Sequence, residues 1–268
     1  MNNYRVFFGF EKEPFMSSLK PDETLKTGAL MSVKTRFDYA IKLGGIALVT
    51  GEIGSGKSTA LRYSAAMLHP SEYHCLYVVA SSGSIIELYR QIISELRIFK
   101  SSASKALMTD MIRKEIKKQV IGKKMKLALI IDEASLLRLE VFAELHTITQ
   151  FEKDSKPWLP IILAGQSTLI DKLMYRGSAP LSSRVIARSH LEGLDLDMMQ
   201  EYLAHHLKLA GVEINLFDPA ATTAIHQGSG GLLRKANHLA RGALIAAAKE
   251  KSMTVNADHV RLASTEIF

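Results

Sequence analysis

Residues Gly51-Glu52-Ile53-Gly54-Ser55-Gly56-Lys57-Ser58 fit the pattern G-x-x-x-x-G-K-[ST]. They stand between a short apolar run, 46–49, and a stretch that carries Leu61, Ala65 and Leu68 at helical spacing. A buried strand that enters a glycine-rich turn and leaves as a helix is the setting in which this pattern cradles phosphate. The glycines allow backbone N–H groups to wrap an anion, and the helix N-terminus adds partial positive charge. Lys57 is placed to reach the β- and γ-phosphates, and Ser58, with Thr59 beside it, offers a hydroxyl to Mg²⁺. The loop and helix start therefore predict a site for ATP and Mg²⁺.

The same alternation continues downstream. Residues 75–80, 127–131 and 159–164 read as further buried strands, and 85–98, 107–121 and 139–149 as helices. This pattern predicts an α/β fold with a parallel sheet and helices on both faces. After Leu191-Glu192-Gly193 the chain reads as helices alone, over 197–210, 219–227, 232–250 and 257–264. Asp195, Asp218 and Asn256 occupy N-cap positions, and Gly211 and Gly228 occupy C-terminal stop positions. The expected division is an α/β core with an N-terminal segment over 1–192 and an all-helical lid over 193–268.

At 268 residues and 47% apolar, the chain can bury a real core, which excludes disorder. Cys75 is the single cysteine, no apolar run approaches the length of a membrane span, and the N-terminus has no leader-like apolar core. A cytoplasmic protein without a membrane segment is expected. The net charge of +7 is local: between residues 100 and 126, nine basic side chains face only Asp110 and Glu115, while the remainder is balanced. A local patch predicts a local polyanion. Lys100 and Lys105 flank a Ser101-Ser102-Ala103-Ser104 loop suited to phosphate tracking, with Arg113 and Lys117 on the helix behind it.

The strand 127–131 ends in Asp132-Glu133. Beside a phosphate loop, Asp132 is expected in the Mg²⁺ shell and Glu133 at the attacking water, although such a pair also suits the start of a helix. Gln166 stands at the tip of the fourth strand, within reach of the γ-phosphate or that water. Arg184 and Arg188 lie just before the last strand, and either can serve as an arginine finger toward a neighbouring subunit, Arg184 being the first choice. Arg234 follows Gly230-Gly231 and opens a lid helix. His205-His206 do not face each other on a helix, and His74-Cys75 lack further spaced ligands, so no metal beyond Mg²⁺ is expected.

Phe10 with Pro14-Phe15, Asp132-Glu133-Ala134, Leu163-Ala164-Gly165-Gln166, and Gly230-Gly231 followed by Arg234 and Asn237 together resemble the ExeA-like AAA+ ATPases, over nearly the whole chain. The resemblance implies an AAA+ P-loop core with a helical lid. Leu233 stands where that family's pattern has proline. Similar proteins include the transposon-encoded target-selection ATPases of the MuB, TniB and TnsC type. They imply double-stranded DNA held through its phosphates, an ATP-dependent homo-oligomer in ring or filament form, and a transposase partner. Since the membrane and peptidoglycan-binding segments of the secretion-linked member have no counterpart in these residues, transposition regulation is the first expectation. A cytoplasmic ATPase of a secretion or envelope-assembly system is the alternative, and a P-loop kinase with a small-molecule acceptor is a third.

Overall fold

Strands that read as unbroken apolar runs need cover on both faces. That cover is present in the computed structural model, which describes residues 4–99 and 102–265. In chain order the elements are α1 (Tyr4–Phe8), α2 (Gly28–Leu43), β1 (Ile46–Gly51), α3 (Lys57–Ala66), β2 (Tyr73–Val79), α4 (Ile85–Glu95), α5 (Lys105–Lys117), β3 (Lys126–Asp132) and α6 (Leu139–Ile148). They continue as β4 (Ile161–Gly165), α7 (Thr168–Met174), α8 (Ala179–Ser182), β5 (Val185–Leu191), α9 (Leu196–Leu209), α10 (Pro219–Ser229), α11 (Leu233–Lys249) and α12 (Ala257–Thr265). Among the described residues no helix is long and apolar enough to cross a membrane.

Contacts divide the chain into an α/β unit, Gly28–Gly51 with Lys57–Leu191, and a helical unit that comprises the segment through Thr27, Glu52–Gly56 and the chain from Glu192 on. In the α/β unit five parallel strands run in the order β2-β3-β4-β1-β5. Leu127, Leu129 and Ile131 of β3 face one cluster with Ile92, Met108, Ile112 and Phe142, whereas Ala128 and Ile130 face another with Val33, Phe37 and Leu61. From β1 the chain crosses to β2 on one side, and it later returns past β4 to β5 on the other. Such a reversal leaves a crevice beyond the carboxyl ends of the strands, and here those ends are Gly51, Asp132 and Gly165. Helix α2, absent from the sequence reading, covers the second face through Leu30, Val33, Phe37, Ala40 and Ile41, an i, i+3, i+4 stripe.

In the helical unit the expected N-caps form: Asp195 accepts from the Met198 N–H at 2.8 Å, Asp218 from Ala221 at 2.6 Å, and Asn256 from His259 at 3.1 Å. Gly211 takes φ +95° beyond α9, as a stop requires. The other stop is displaced. Helix α10 runs through Gly228, and Gly230 at φ +61° ends it, its N–H bonded to Gln227 O and that of Gly231 to His226 O.

The N-terminal segment, expected with the α/β core, instead belongs by its contacts to the helical unit. Phe8, Phe10 and Phe15 are buried in a cluster with Met199, Tyr202, Leu203 and Phe217. Arg241 donates to Phe15 O at 2.7 Å, and the Glu11 N–H to Ala210 O at 2.8 Å. His206, 2% exposed, stacks on Phe15 with ring centroids 5.2 Å apart and meets Tyr202 edge-on at 4.5 Å. Its Nε2 has no hydrogen-bond partner. Burial, and then neighbouring His205, hold its pKa down to about 3.

Candidate nucleotide site

Lys57 opens α3 and is 5% exposed, with its ammonium donating to Gly51 O at 2.9 Å. A buried cation persists only where it is paired, and here the end of β1 supplies the partner. Within the helical unit, the Ser55 N–H closes the loop on Glu52 O at 3.1 Å, and Gly54 and Gly56 take φ +86° and +98°, which a side chain resists. A Cβ on Gly54 would come 2.9 Å from the Cβ of Arg234, whose own N–H donates to Gly54 O at 3.2 Å. The exposed Arg234 side chain thus starts beside the phosphate loop. Ser55 is buried and its hydroxyl is without a hydrogen-bond partner, a group that a phosphate oxygen would satisfy.

At the carboxyl end of β3, Asp132 is 4% exposed and both its oxygens are engaged. The Glu133 N–H donates to Oδ1 at 2.9 Å and the Tyr77 hydroxyl to Oδ2 at 2.7 Å. Sequence reasoning missed Tyr77, which sits mid-strand in β2. The pairing of Val79 with Asp132 puts residues 77 and 79 on the face of Asp132. Burial, and then the bond to Asp132, push the phenol's pKa up, so it keeps its proton.

Glu133 occupies the left-handed region, φ +54° and ψ +30°. For a non-glycine residue this costs on the order of 1 kcal/mol and clusters at functional positions. Its N–H on Asp132 and its carbonyl, which accepts from Leu136 at 2.9 Å, hold it there. The tip of β4 is fastened to this turn: Ser135 Oγ accepts from the Gln166 N–H at 3.2 Å, and a Cβ on Gly165 would lie 2.8 Å from Ser135 N. Lys172 of α7, a second residue that sequence reasoning missed, donates to Ser135 O at 2.5 Å and Leu137 O at 2.7 Å. Gln166 is half-buried, and no side-chain cap forms at the start of α7.

The remaining sequence candidates lie elsewhere. Arg184 is held by Asp154 at 2.6 and 2.8 Å and by Thr149 at 3.2 Å, whereas Arg188, expected before the last strand, lies within β5, is exposed and lines an open crevice with Leu48 and Tyr175. Lys100 lies outside the described residues. Lys105 pairs with Glu144 at 2.6 Å and Lys117 with Glu152 at 2.7 Å. Arg113 donates to Gln150 O and sits over the Phe151 ring, 5.7 Å from its centroid. The charge that accumulates along the sequence is thus partly offset in space by carboxylates that come later in the chain.

The family described as "AAA domain" matches residues 41–173, a span that contains Lys57, Asp132, Glu133 and Gln166. The chain has the AAA P-loop fold. General secretion pathway protein A of Aeromonas hydrophila is 30% identical to it over 266 residues, 98% of this chain, and the chain spans 48% of that relative. Among solved structures, the Aeropyrum pernix ORC2 protein in its ADPNP-ADP complexes superposes with a TM-score of 0.70 at 16% identity, covering 94% of this chain and 71% of that one. The Aeropyrum pernix ORC1 protein in complex with DNA gives 0.68 at 15% identity, over 94% of this chain and 68% of that one. At such identities the shared property is the fold. The residues present fit ATP with Mg²⁺: Ser55 offers an orphaned hydroxyl, Lys57 a buried cation, and Asp132 a carboxylate fixed by two donors.

Proposed function

We propose that this ATPase is a module of a secretion or envelope-assembly machine, working on the cytoplasmic side, where ATP is supplied. The observation that carries this reading is the 30% identity to general secretion pathway protein A over 98% of the chain, through the N-terminal segment and the C-terminal helices as well as the phosphate loop. In this reading Gly51, Glu52, Ile53, Gly54, Ser55 and Gly56 wrap the phosphates, Lys57 neutralises them and Thr59 adjoins them. Ser58 and Asp132 would hold Mg²⁺, which screens charge on the β- and γ-phosphates. Glu133 takes a proton from the attacking water, Gln166 orients that water or the γ-phosphate, and Arg234 senses the phosphate end of the loop.

A second reading, a regulator of transposition that assembles as a homo-oligomer on double-stranded DNA and engages a transposase, draws support from the fold shared with a DNA-bound ORC1 protein. Against it, the intramolecular partners of Lys105, Arg113 and Lys117 weaken the free basic patch on which it leaned. Two measurements separate them. Under the first reading, duplex DNA leaves ATP turnover unchanged, and a Lys57→Ala chain in the host blocks protein export or envelope assembly. Turnover that duplex DNA raises severalfold, with affinity falling against salt by a log-log slope of about 0.9 per phosphate contact, together with normal export, hands the function to the second.

A further inference from the structure

One hydroxyl of the site has no task in the division of labour above. The Tyr77 phenol reaches from β2 to the end of β3 and donates to Asp132 Oδ2 at 2.7 Å, while the Glu133 N–H donates to Oδ1 at 2.9 Å. Two donors from different directions fix the torsion of a carboxylate that a single donor would leave free to turn. The phenol comes from β2 and the backbone N–H from the turn after β3, so two separate elements hold one carboxylate. Each carboxylate oxygen has two lone pairs, so a donor on Oδ2 leaves capacity for a cation or for its water. Residues that orient metal ligands from behind typically govern metal affinity by about 10–100-fold.

We propose that Tyr77 is a positioning residue for Mg²⁺: it sets the orientation of Asp132, so the ion meets a prearranged carboxylate. The inference rests on the assignment of Ser58 and Asp132 as ion ligands. Tyr77→Phe removes the hydroxyl and keeps the ring in its packing. The test is equilibrium ATP binding, first in EDTA and then across a Mg²⁺ titration, for the unaltered protein, Tyr77→Phe and Asp132→Asn. Tyr77→Phe is expected to bind ATP normally in EDTA, which also reports a folded loop, and to need about 10-fold more Mg²⁺ for half of the Mg²⁺-dependent gain in affinity. Asp132→Asn is expected to lose that gain. If Tyr77→Phe responds to Mg²⁺ as the unaltered protein does, or at lower concentration, while Asp132→Asn loses the gain, the positioning role is overturned. If Asp132→Asn keeps the gain, the ligand assignment itself fails.

Discussion

Lys57 and Glu133 make opposite demands on their surroundings. The lysine is buried with its ammonium on a backbone carbonyl, whereas the glutamate is held in a costly backbone conformation beside a carboxylate engaged by two donors. Lys57→Ala removes a charge-assisted contact of about 1.5–3 kcal/mol, so ATP affinity is expected to fall roughly 10- to 100-fold. Glu133→Gln keeps the loop and its contacts, so affinity should hold while turnover drops about 10²–10⁴-fold. Calorimetric binding and phosphate release read the two effects separately, and full turnover in Glu133→Gln would remove that residue from the water. Both residues were legible because each follows an apolar strand at a fixed offset. Tyr77 and Lys172 were not: strand register brings the first to Asp132, and packing of α7 brings the second to Ser135 O.

Among the elements, β1, β3 and β4 could be read because burial on both faces erases alternation and no competing helix fits runs so short, whereas β5 alternates buried and exposed residues and shows no such run. The α10 stop was ambiguous for a local reason. Gly228 and Gly230 are both candidates in sequence, and only the second takes positive φ. The role of the N-terminal aromatics was hidden, since nothing near Phe15 in sequence names its partners on α9. One of them, His206, gives the helical unit a pH dependence. Its folded pKa lies near 3, below the ordinary value of about 6.5, so below that value the unfolded chain takes up a proton that the folded one refuses. Stability should therefore fall as pH drops from about 6.5 toward 3, by at most about 1.4 kcal/mol per unit, and level above 6.5. Melting temperatures at pH 7.5, 6 and 5 check this, against His206→Leu. The variant should show a shallower acid slope whatever its absolute stability, and an unchanged slope would assign the loss to other groups.

For the whole molecule, the basic segment shows what a linear charge count omits: Glu144 and Glu152 enter the patch from α6 and the turn after it. Arg184 poses a related question. Its guanidinium is committed to Asp154, so service to a neighbouring subunit requires that exposed pair to open, at a cost within about 1 kcal/mol. If assembly completes the site in that way, Arg184→Ala and Lys57→Ala proteins, each poorly active alone, should recover turnover when mixed. Absence of recovery, with Arg188→Ala the more damaged single variant, would move the role to Arg188.

The helical unit is assembled from chain that precedes the α/β unit and chain that follows it. Translation makes the first part long before the second. Phe8, Phe10 and Phe15 leave the ribosome without the α9–α11 surface that buries them. At about 5–20 residues per second, they wait on the order of ten to fifty seconds, while the sheet, whose strands lie between the two parts, is free to close first. During that interval the N-terminal aromatics are ready-made ligands for a holding chaperone, and the last helices to be synthesised are what releases them.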